Sequence, residues 1–420
     1  MTILISNHFI YSGRVGGAEH MAYNLVRGLK QARAEPVVLC SDKRNLAKQF
    51  VSECGSTGVP VISCGTGSGP RFLVEQRACL DRSLSGDAIL FPNYFLPPVV
   101  PRRLGATAVV IHDFQYRHLP EYFSLKKRLW LRLCHERALR HADQVIFISE
   151  FVRQDAIRWF GPVAQRGVVI PNPISWDRFA ETREAPALPN RPYILSVAAH
   201  YPHKGLSVLL RAFARFSVRR KDFCLVVVGQ LAGNLVSGSD NEGRLEALIH
   251  ELGLEDRVCV TGYLSDNQLG SYYRHAAAFA FPSVFEGFGM PAVEALGFGL
   301  RCLTTRCTAL PETTLGLADY VDDPADADEW ASRLDRLVDA PRVPSHQIQQ
   351  VIDRYDPRAI GARYKSVLFD NQDGLKGDVP AISRLSNSTV SESRVPSEAA
   401  TSGLTDQLAV AARIRGDAGG

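Results

Sequence analysis

The sequence predicts an α/β chain of two similarly built domains, each a parallel sheet with flanking helices. Three observations carry this. At 420 residues the chain is too long for one ordinary core. Short apolar runs with strand character alternate with segments of helical spacing along most of it. The rhythm breaks once, at ETREAPALPNRP (181–192), a stretch rich in proline and charge, and then starts again.

The first half opens with the strand candidate TILISNHF and the loop YSGRVGG. AEHMAYNLVRGLKQAR follows, with apolar residues at Met21, Leu25 and Leu29, one helical face. PVVLCS, AILFPN, AVVIHDF, QVIFIS and GVVIPN are further strands, each ending in a polar or turn residue. In open α/β sheets such ends line the ligand crevice. The second half runs YILSVAAH, helix GLSVLLRAFARFSVR, strand CLVVVGQ, helix GRLEALIHELG, strand RVCVTGY, helix NQLGSYYRHA and strand AAFAFPS, then RCLTT and ADYVDD. The expected division is a first domain over 1–180, a linker over 181–192 and a second domain over 193–350. A helix over 351–370 follows, and then a Ser-rich tail over 371–420 that is expected to be disordered.

A net charge of +4 does not suit a dedicated nucleic-acid binder. Nine scattered cysteines without a CxxC pair read as reduced thiols of a cytoplasmic protein, not a disulfide framework or zinc site. MTILISNHFIYS lacks a basic leader and reads as a first strand, and no stretch reaches transmembrane length.

Four sites stand out. Glu286 and Glu294 flank the uncharged GFGMPAV, with Pro291 suited to the first turn of a helix after the strand AAFAFPS. Glu294 is then expected in that first turn. The helix end supplies free N–H groups and a partial positive charge, and Gly287 and Gly289 allow close approach, so the loop suits a phosphate. The carboxylates suit sugar hydroxyls on either side of it. Solvated acids at a helix start are the plain alternative. Lys204-Gly205, opening a helix after YILSV, offers a mobile cation for a diphosphate, or simply a surface lysine. GRVGGAEH is not a GxGxxG fingerprint, but Gly16-Gly17 still lets backbone approach a ligand, as would any tight β–α turn. His112-Asp113 ends a strand and faces the crevice, or caps a turn.

PSVFEGFGMPAVEALGFG, with GGAE, HDF, ISEF, VVIPNP, HKGL, TGYLSD and ALPE in order around it, resembles the retaining glycosyltransferases of the GT4 family over roughly residues 1–370. The resemblance implies the GT-B fold, two Rossmann-like domains whose parallel sheets face a central cleft. It implies an enzyme that moves a hexose from a nucleotide-diphosphate sugar to an acceptor hydroxyl, with retention. By this resemblance Glu294 holds the donor ribose, and Glu286 contacts the transferred sugar. The backbone of Gly287, Phe288 and Gly289 holds the diphosphate with Lys204, and Gly16 and Gly17 approach it from the first domain. Gly262, Tyr263 and Leu264, within the loop 262–266, form the base-binding edge. His112 lies by the scissile bond, and the last helix crosses back to the first domain. The family places an arginine six residues before the lysine; here Ala198 stands there. VVIHDF has the flavour of the family's mannosyl and rhamnosyl transferases and suggests GDP-mannose. The acceptor is expected to be a glycan or a lipid-linked one. The basic and apolar stretch 124–142 implies peripheral contact with the inner membrane face. No cofactor or metal is expected, because Glu286 and Glu294 are assigned to sugars and Asp322-Asp323 reads as turn chemistry. The alternatives are a nucleotide-sugar 2-epimerase on the same fold and a non-catalytic sugar-nucleotide binder.

Overall fold

The computed structural model describes residues 1–8, 16–40, 58–64, 70–180, 188–229 and 241–370. Residues 181–187 of the expected linker and the expected tail from 371 onward lie outside these.

The first sheet holds β1 (Thr2–Ser6), β2 (Glu35–Cys40), β3 (Val61–Ser63), β4 (Ala88–Phe91), β5 (Ala106–Ile111), β6 (Gln144–Phe147) and β7 (Val168–Val169) in the order β3-β2-β1-β4-β5-β6-β7. The second holds β8 (Tyr193–Val197), β9 (Cys224–Val228), β10 (Val258–Gly262), β11 (Ala278–Phe281), β12 (Cys302–Thr305) and β13 (Asp319–Val321) in the order β10-β9-β8-β11-β12-β13. Every pairing between these strands is parallel. Central strands such as CLVVV are buried along their whole length, as parallel strands covered on both faces must be.

The helices are α1 (Gly17–Gln31), α2 (Arg71–Leu80), α3 (Gln115–His118), α4 (Leu125–His141), α5 (Glu150–Phe160), α6 (Leu206–Arg219), α7 (Asn241–Glu251), α8 (Asp266–His275), α9 (Met290–Gly297), α10 (Leu310–Thr313), α11 (Ala327–Leu337), α12 (Ser345–Arg354) and α13 (Pro357–Phe369). Among the described residues, no helix is long and apolar enough to cross a membrane.

Both sheets reverse their winding direction once, between β1 and β4 in the first and between β8 and β11 in the second. Ligands of such sheets bind outside the carboxyl ends of the strands at this reversal. The segment carrying Glu286 leaves β11 there, and Lys204 follows β8. The two faces of the second sheet have different partners. Leu195, Phe279 and Phe281 belong to a core continuous with that of the first domain, whereas Ile194, Ala278 and Ala280 pack under α6 and α11 with Phe213 and Trp330. This architecture is two Rossmann-like domains facing a cleft.

The chain returns to the first domain at its end. α13 packs on α1, and the backbones meet at Gly28 and Gly361. A Cβ on Gly28 would lie 2.1 Å from Pro357 O, and one on Gly361 2.2 Å from Gly28 O. Only glycines permit this approach.

Candidate active site

The loop after β11 turns into α9 through Gly289, whose φ of +80° places it in the left-handed region. Helix α9 begins at Met290, so Glu294 sits in its second turn, not the first turn expected from Pro291. The register is set by Gly289 rather than by the proline, which takes the second helical position. Lys204 ends a short 3₁₀ turn, and Gly205 (φ +67°) opens α6; a Cβ there would lie 2.2 Å from Pro282 O. The lysine turn and the β11 exit are thereby held together. Lys204 Nζ and Glu286 Oε1 meet at 2.6 Å, with the side chains 17% and 12% exposed. The cation and the first acid of the motif form one half-buried ion pair.

The first domain closes on this pair. Gly287 lies so close to β5's exit that a Cβ would fall 2.0 Å from His112 O. Ser149 Oγ donates to Gly287 O at 2.8 Å. His112 is half-buried, and burial pushes its pKa down, so the ring is neutral near pH 7. Its Nε2–H donates to Pro92 O at 2.9 Å, a tautomer that leaves a lone pair on Nδ1. Asp113 accepts from Gln115 N at 2.9 Å. Burial raises its pKa, and it feels both Glu286 and Lys204. His112, Asp113, Lys204 and Glu286 thus form one electrostatic unit.

Glu294 belongs to a second cluster and is only 3% exposed. Arg178 Nη2 donates to its Oε1, and Tyr273 Oη donates to its Oε2 at 2.9 Å. Burial still raises its pKa, opposed by Arg178. The same guanidinium reaches Asp266 Oδ1 at 3.4 Å and His20 Nδ1 at 2.5 Å. Arg178 therefore joins the second acid to the loop 262–266 and to α1. In that loop Gly262 has φ +71°, Tyr263 stands 57% exposed, and Leu264 packs on the shared core. Gly16 caps α1 and donates its N–H to Glu19 Oε2 at 3.0 Å, while Gly17 faces open space.

The structure thus brings His112, Lys204, Glu286 and Gly287 together. Glu294 lies in the Arg178 cluster, which also reaches α1 through His20 and the loop after Gly262 through Asp266. Phe288 is packed edge-on against Tyr355 at 5.3 Å, so its contribution to the loop is backbone only. His200 is buried, and burial lowers its pKa. Ala198 is itself buried, and its carbonyl lies against Gly229; the exposed neighbour is Ala199. The two alanines differ because β8 ends at Val197 and the next two side chains face opposite ways. Asn172 is buried. The chain's Asp-x-Asp triplet, Asp326–Asp328, caps α11: Asp326 Oδ1 accepts from Asp328 N at 2.8 Å and Glu329 N at 3.1 Å. Among the described residues, no group of three or more His, Cys, Asp or Glu is placed to hold a metal ion.

Sequence reasoning missed Arg178, in SWDRF, and gave no role to Ser149 in ISEF or Glu312 in ALPE. The last two lay inside quoted tags; nothing local marks the first.

Comparison with known proteins agrees with this fold. The family model "Glycosyl transferases group 1" matches residues 167–354, and "Glycosyl transferase 4-like domain" matches residues 16–173. The chain is 35% identical over 210 residues to an MMP alpha-(1->4)-mannosyltransferase of Mycolicibacterium hassiacum, an overlap that spans 49% of this chain and only 48% of that protein. It is 27% identical over 300 residues to a GDP-mannose-dependent alpha-(1-6)-phosphatidylinositol monomannoside mannosyltransferase of Mycolicibacterium smegmatis, covering 66% of this chain and 74% of the relative. Sucrose-phosphate synthase from Thermosynechococcus elongatus shares the fold with a TM-score of 0.67 at 19% identity, over 87% of this chain and 98% of that one. With two family models meeting near residue 170 and the whole two-domain architecture shared, the chain is a GT-B fold protein related to the group 1 glycosyl transferases, the GT4 family.

Proposed function

We propose that this protein transfers a hexose from a nucleotide-diphosphate sugar to a glycan or lipid-linked hydroxyl, with retention of anomeric configuration. One observation carries the reading: the exit of β5, with His112, lies in main-chain contact with the loop that holds Glu286. Transfer separates charge. Positive charge grows on the sugar and negative charge on the departing diphosphate. Lys204, the N-terminus of α9 and the N–H groups of Gly287, Phe288 and Gly289 are the fixed stabilisers for the latter. Glu286 is assigned to the transferred sugar and Glu294 to the ribose, with Gly262, Tyr263 and Leu264 along the base and Gly16 and Gly17 on the diphosphate. Because Glu286 is tied to Lys204, it is not given the role of a covalent nucleophile, which a retaining glycosidase would need. A front-face attack assisted by the departing phosphate fits better. GDP-mannose is the proposed donor, supported by one relative that is GDP-mannose-dependent and by another that is a mannosyltransferase.

The proposed acceptor side includes a membrane surface. Leu125 (77% exposed), Leu129, Trp130 and Leu133 on α4 are exposed beside Lys126, Lys127 and Arg132, and the Phe72 ring of α2 lies 5.4 Å from Trp130. Exposed apolar side chains among cations suit an anionic bilayer. Co-sedimentation with phosphatidylglycerol vesicles at low salt, reversed by salt, checks this; protein left wholly in the supernatant refutes it.

The reaction is tested by incubating the chain with GDP-mannose or UDP-glucose, with and without an acceptor, in excess EDTA and with added Mn²⁺. The expected outcome is a glycoside formed only with acceptor and equally in EDTA. Free sugar plus nucleotide without acceptor, or activity lost to the chelator and restored by metal, overturns it.

A further inference from the structure

The N-terminus of α5 presents backbone N–H groups that its own helix cannot satisfy. Ser149, the N-cap, accepts from Val152 N at 3.2 Å. The remaining two, Glu150 N and Phe151 N, donate to Glu312 Oε1 at 2.7 Å and Oε2 at 3.1 Å. That carboxylate comes from the other domain. Helix α5 belongs to the first sheet's layer and Glu312 to α10, which follows β12 of the second sheet. Arg153 holds the nearby Glu150 carboxylate, which leaves the cap to Glu312.

The segment around Glu312 also grips the donor loop. Thr308 Oγ1 accepts from Glu286 N at 2.9 Å, and Ala309 N donates to Glu286 O at 3.3 Å. Thr313 Oγ1 donates to Phe288 O at 2.6 Å, and Leu310 fills the space where Gly289 lacks a side chain, 2.4 Å from its would-be Cβ. Thr308 holds a left-handed φ of 53°, a strained state for a branched residue, and its hydroxyl makes the bond to Glu286 from there. Ser149 completes the circuit from the opposite side by donating to Gly287 O. Each of Glu286, Gly287, Phe288 and Gly289 is therefore held by 308–313 or by the start of α5, and Glu312 ties those two holders together.

We propose that Glu312 is a positioning residue that couples the approach of the two domains to the geometry of the loop 286–289. It touches neither donor nor acceptor in the proposed reaction. When the domains meet, its carboxylate engages the N–H pair and the helix dipole of α5, and the 308–313 segment is pulled into the register that holds Glu286. When they part, the cap is lost and the loop loosens. This rests on the transferase reading for its effect on turnover, but not for its effect on the loop.

The test compares the wild-type chain with Glu312→Ala and Glu312→Gln by hydrogen exchange and by kinetics. Glu312 lies at the surface, so both variants are expected to melt within about 2 °C of wild type. In Glu312→Ala the amides of Glu150 and Phe151 exchange at least fivefold faster, and so do those of 285–289, which Glu312 does not contact. Turnover falls about tenfold, with donor KM changed by less than about threefold, because the loss lies in alignment rather than in donor contacts. Glu312→Gln, which keeps one carbonyl acceptor, falls between. Faster exchange at 150–151 with 285–289 and turnover unchanged makes the contact a local cap and overturns the proposal, as does unchanged exchange at 150–151. The exchange result stands even if no sugar transfer is found, so the two readings fail separately.

Discussion

Replacing Gly287 with alanine inserts one methyl group at the contact between the two domains. The new Cβ would sit 2.0 Å from His112 O, 3.2 Å from its carbonyl carbon and 3.3 Å from Asp113 Cβ. Ordinary van der Waals contact begins near 3.4 Å, so the oxygen contact is about 1.4 Å too short. The opposing atoms are main chain or Cβ, and no flexible side-chain end can swing away. The β5 exit must therefore move off the donor loop, or the domains must part. An ångström of extra separation also stretches the 2.8 Å bond from Ser149 Oγ to Gly287 O beyond useful range. Overpacking of this kind costs about 1–3 kcal/mol of stability. A displacement of about 1 Å at a reacting centre costs about 10²-fold in rate. The expected outcome is kcat reduced about 100-fold, with nucleoside diphosphate affinity, measured by calorimetry, within about tenfold of wild type. A Gly287→Ala chain that melts normally and turns over within fivefold of wild type would show that this contact is not present in the working enzyme.

Four further outcomes are expected. His112→Ala lowers kcat strongly while donor binding survives, because a group acting in the transition state shows in turnover more than in affinity; near-wild-type kcat ends that assignment. Lys204→Ala lowers the rate about 10²–10³-fold, the scale of one lost fixed stabiliser, and Lys204→Gln does little better; a loss under tenfold refutes it. Ala199→Arg tightens nucleoside diphosphate binding about tenfold by calorimetry, since the exposed position can supply a charge-assisted contact, whereas Ala198→Arg destabilises the fold; the reverse pattern would restore 198 as the clamp position. Stability falls on acidification. Burial pushes His135 down to about 4, against about 6.5 unfolded, so the unfolded state binds the extra proton between those values. Stability is full above about 6.5 and drops by about 3 kcal/mol from this group as pH falls to about 4. The half-buried His20 and the buried His203 are shifted the same way. Urea midpoints of wild type and His135→Phe at pH 7 and pH 5 measure this, and equal slopes for the two refute it.

The strand order was readable because burial on both faces forces apolar runs into β5, β9 and β11, and helices such as α1 and α6 carry a clear 3.6-residue stripe. The sequence marked Glu286 and Lys204 separately, each beside a glycine at a turn, but not the ion pair between them. Arg178 was not, because its partner Glu294 lies 116 positions away and no local pattern announces a long-range ion pair. Which of Ala198 and Ala199 faces the cleft depends on where β8 ends, a one-residue matter that flips the side chain. Among the elements that went unremarked, α2 exposes Phe72, Leu73 and Leu80, and β3 is three residues long with two exposed.

The meeting of α13 with α1 makes the chain pass between its two halves twice, once near 180–193 and once between α12 and α13. Two tethers side by side act as a door hung on two pins. Beside the second crossing, Ile174 N donates to Tyr355 O at 2.9 Å, so a relative motion of the halves would turn about that line more readily than slide or twist. The second tether also ends in a clasp. A single cut in the first would leave two pieces still held through the glycine-to-glycine seat of α13 on α1, which lends the molecule to being made as separate halves that find each other.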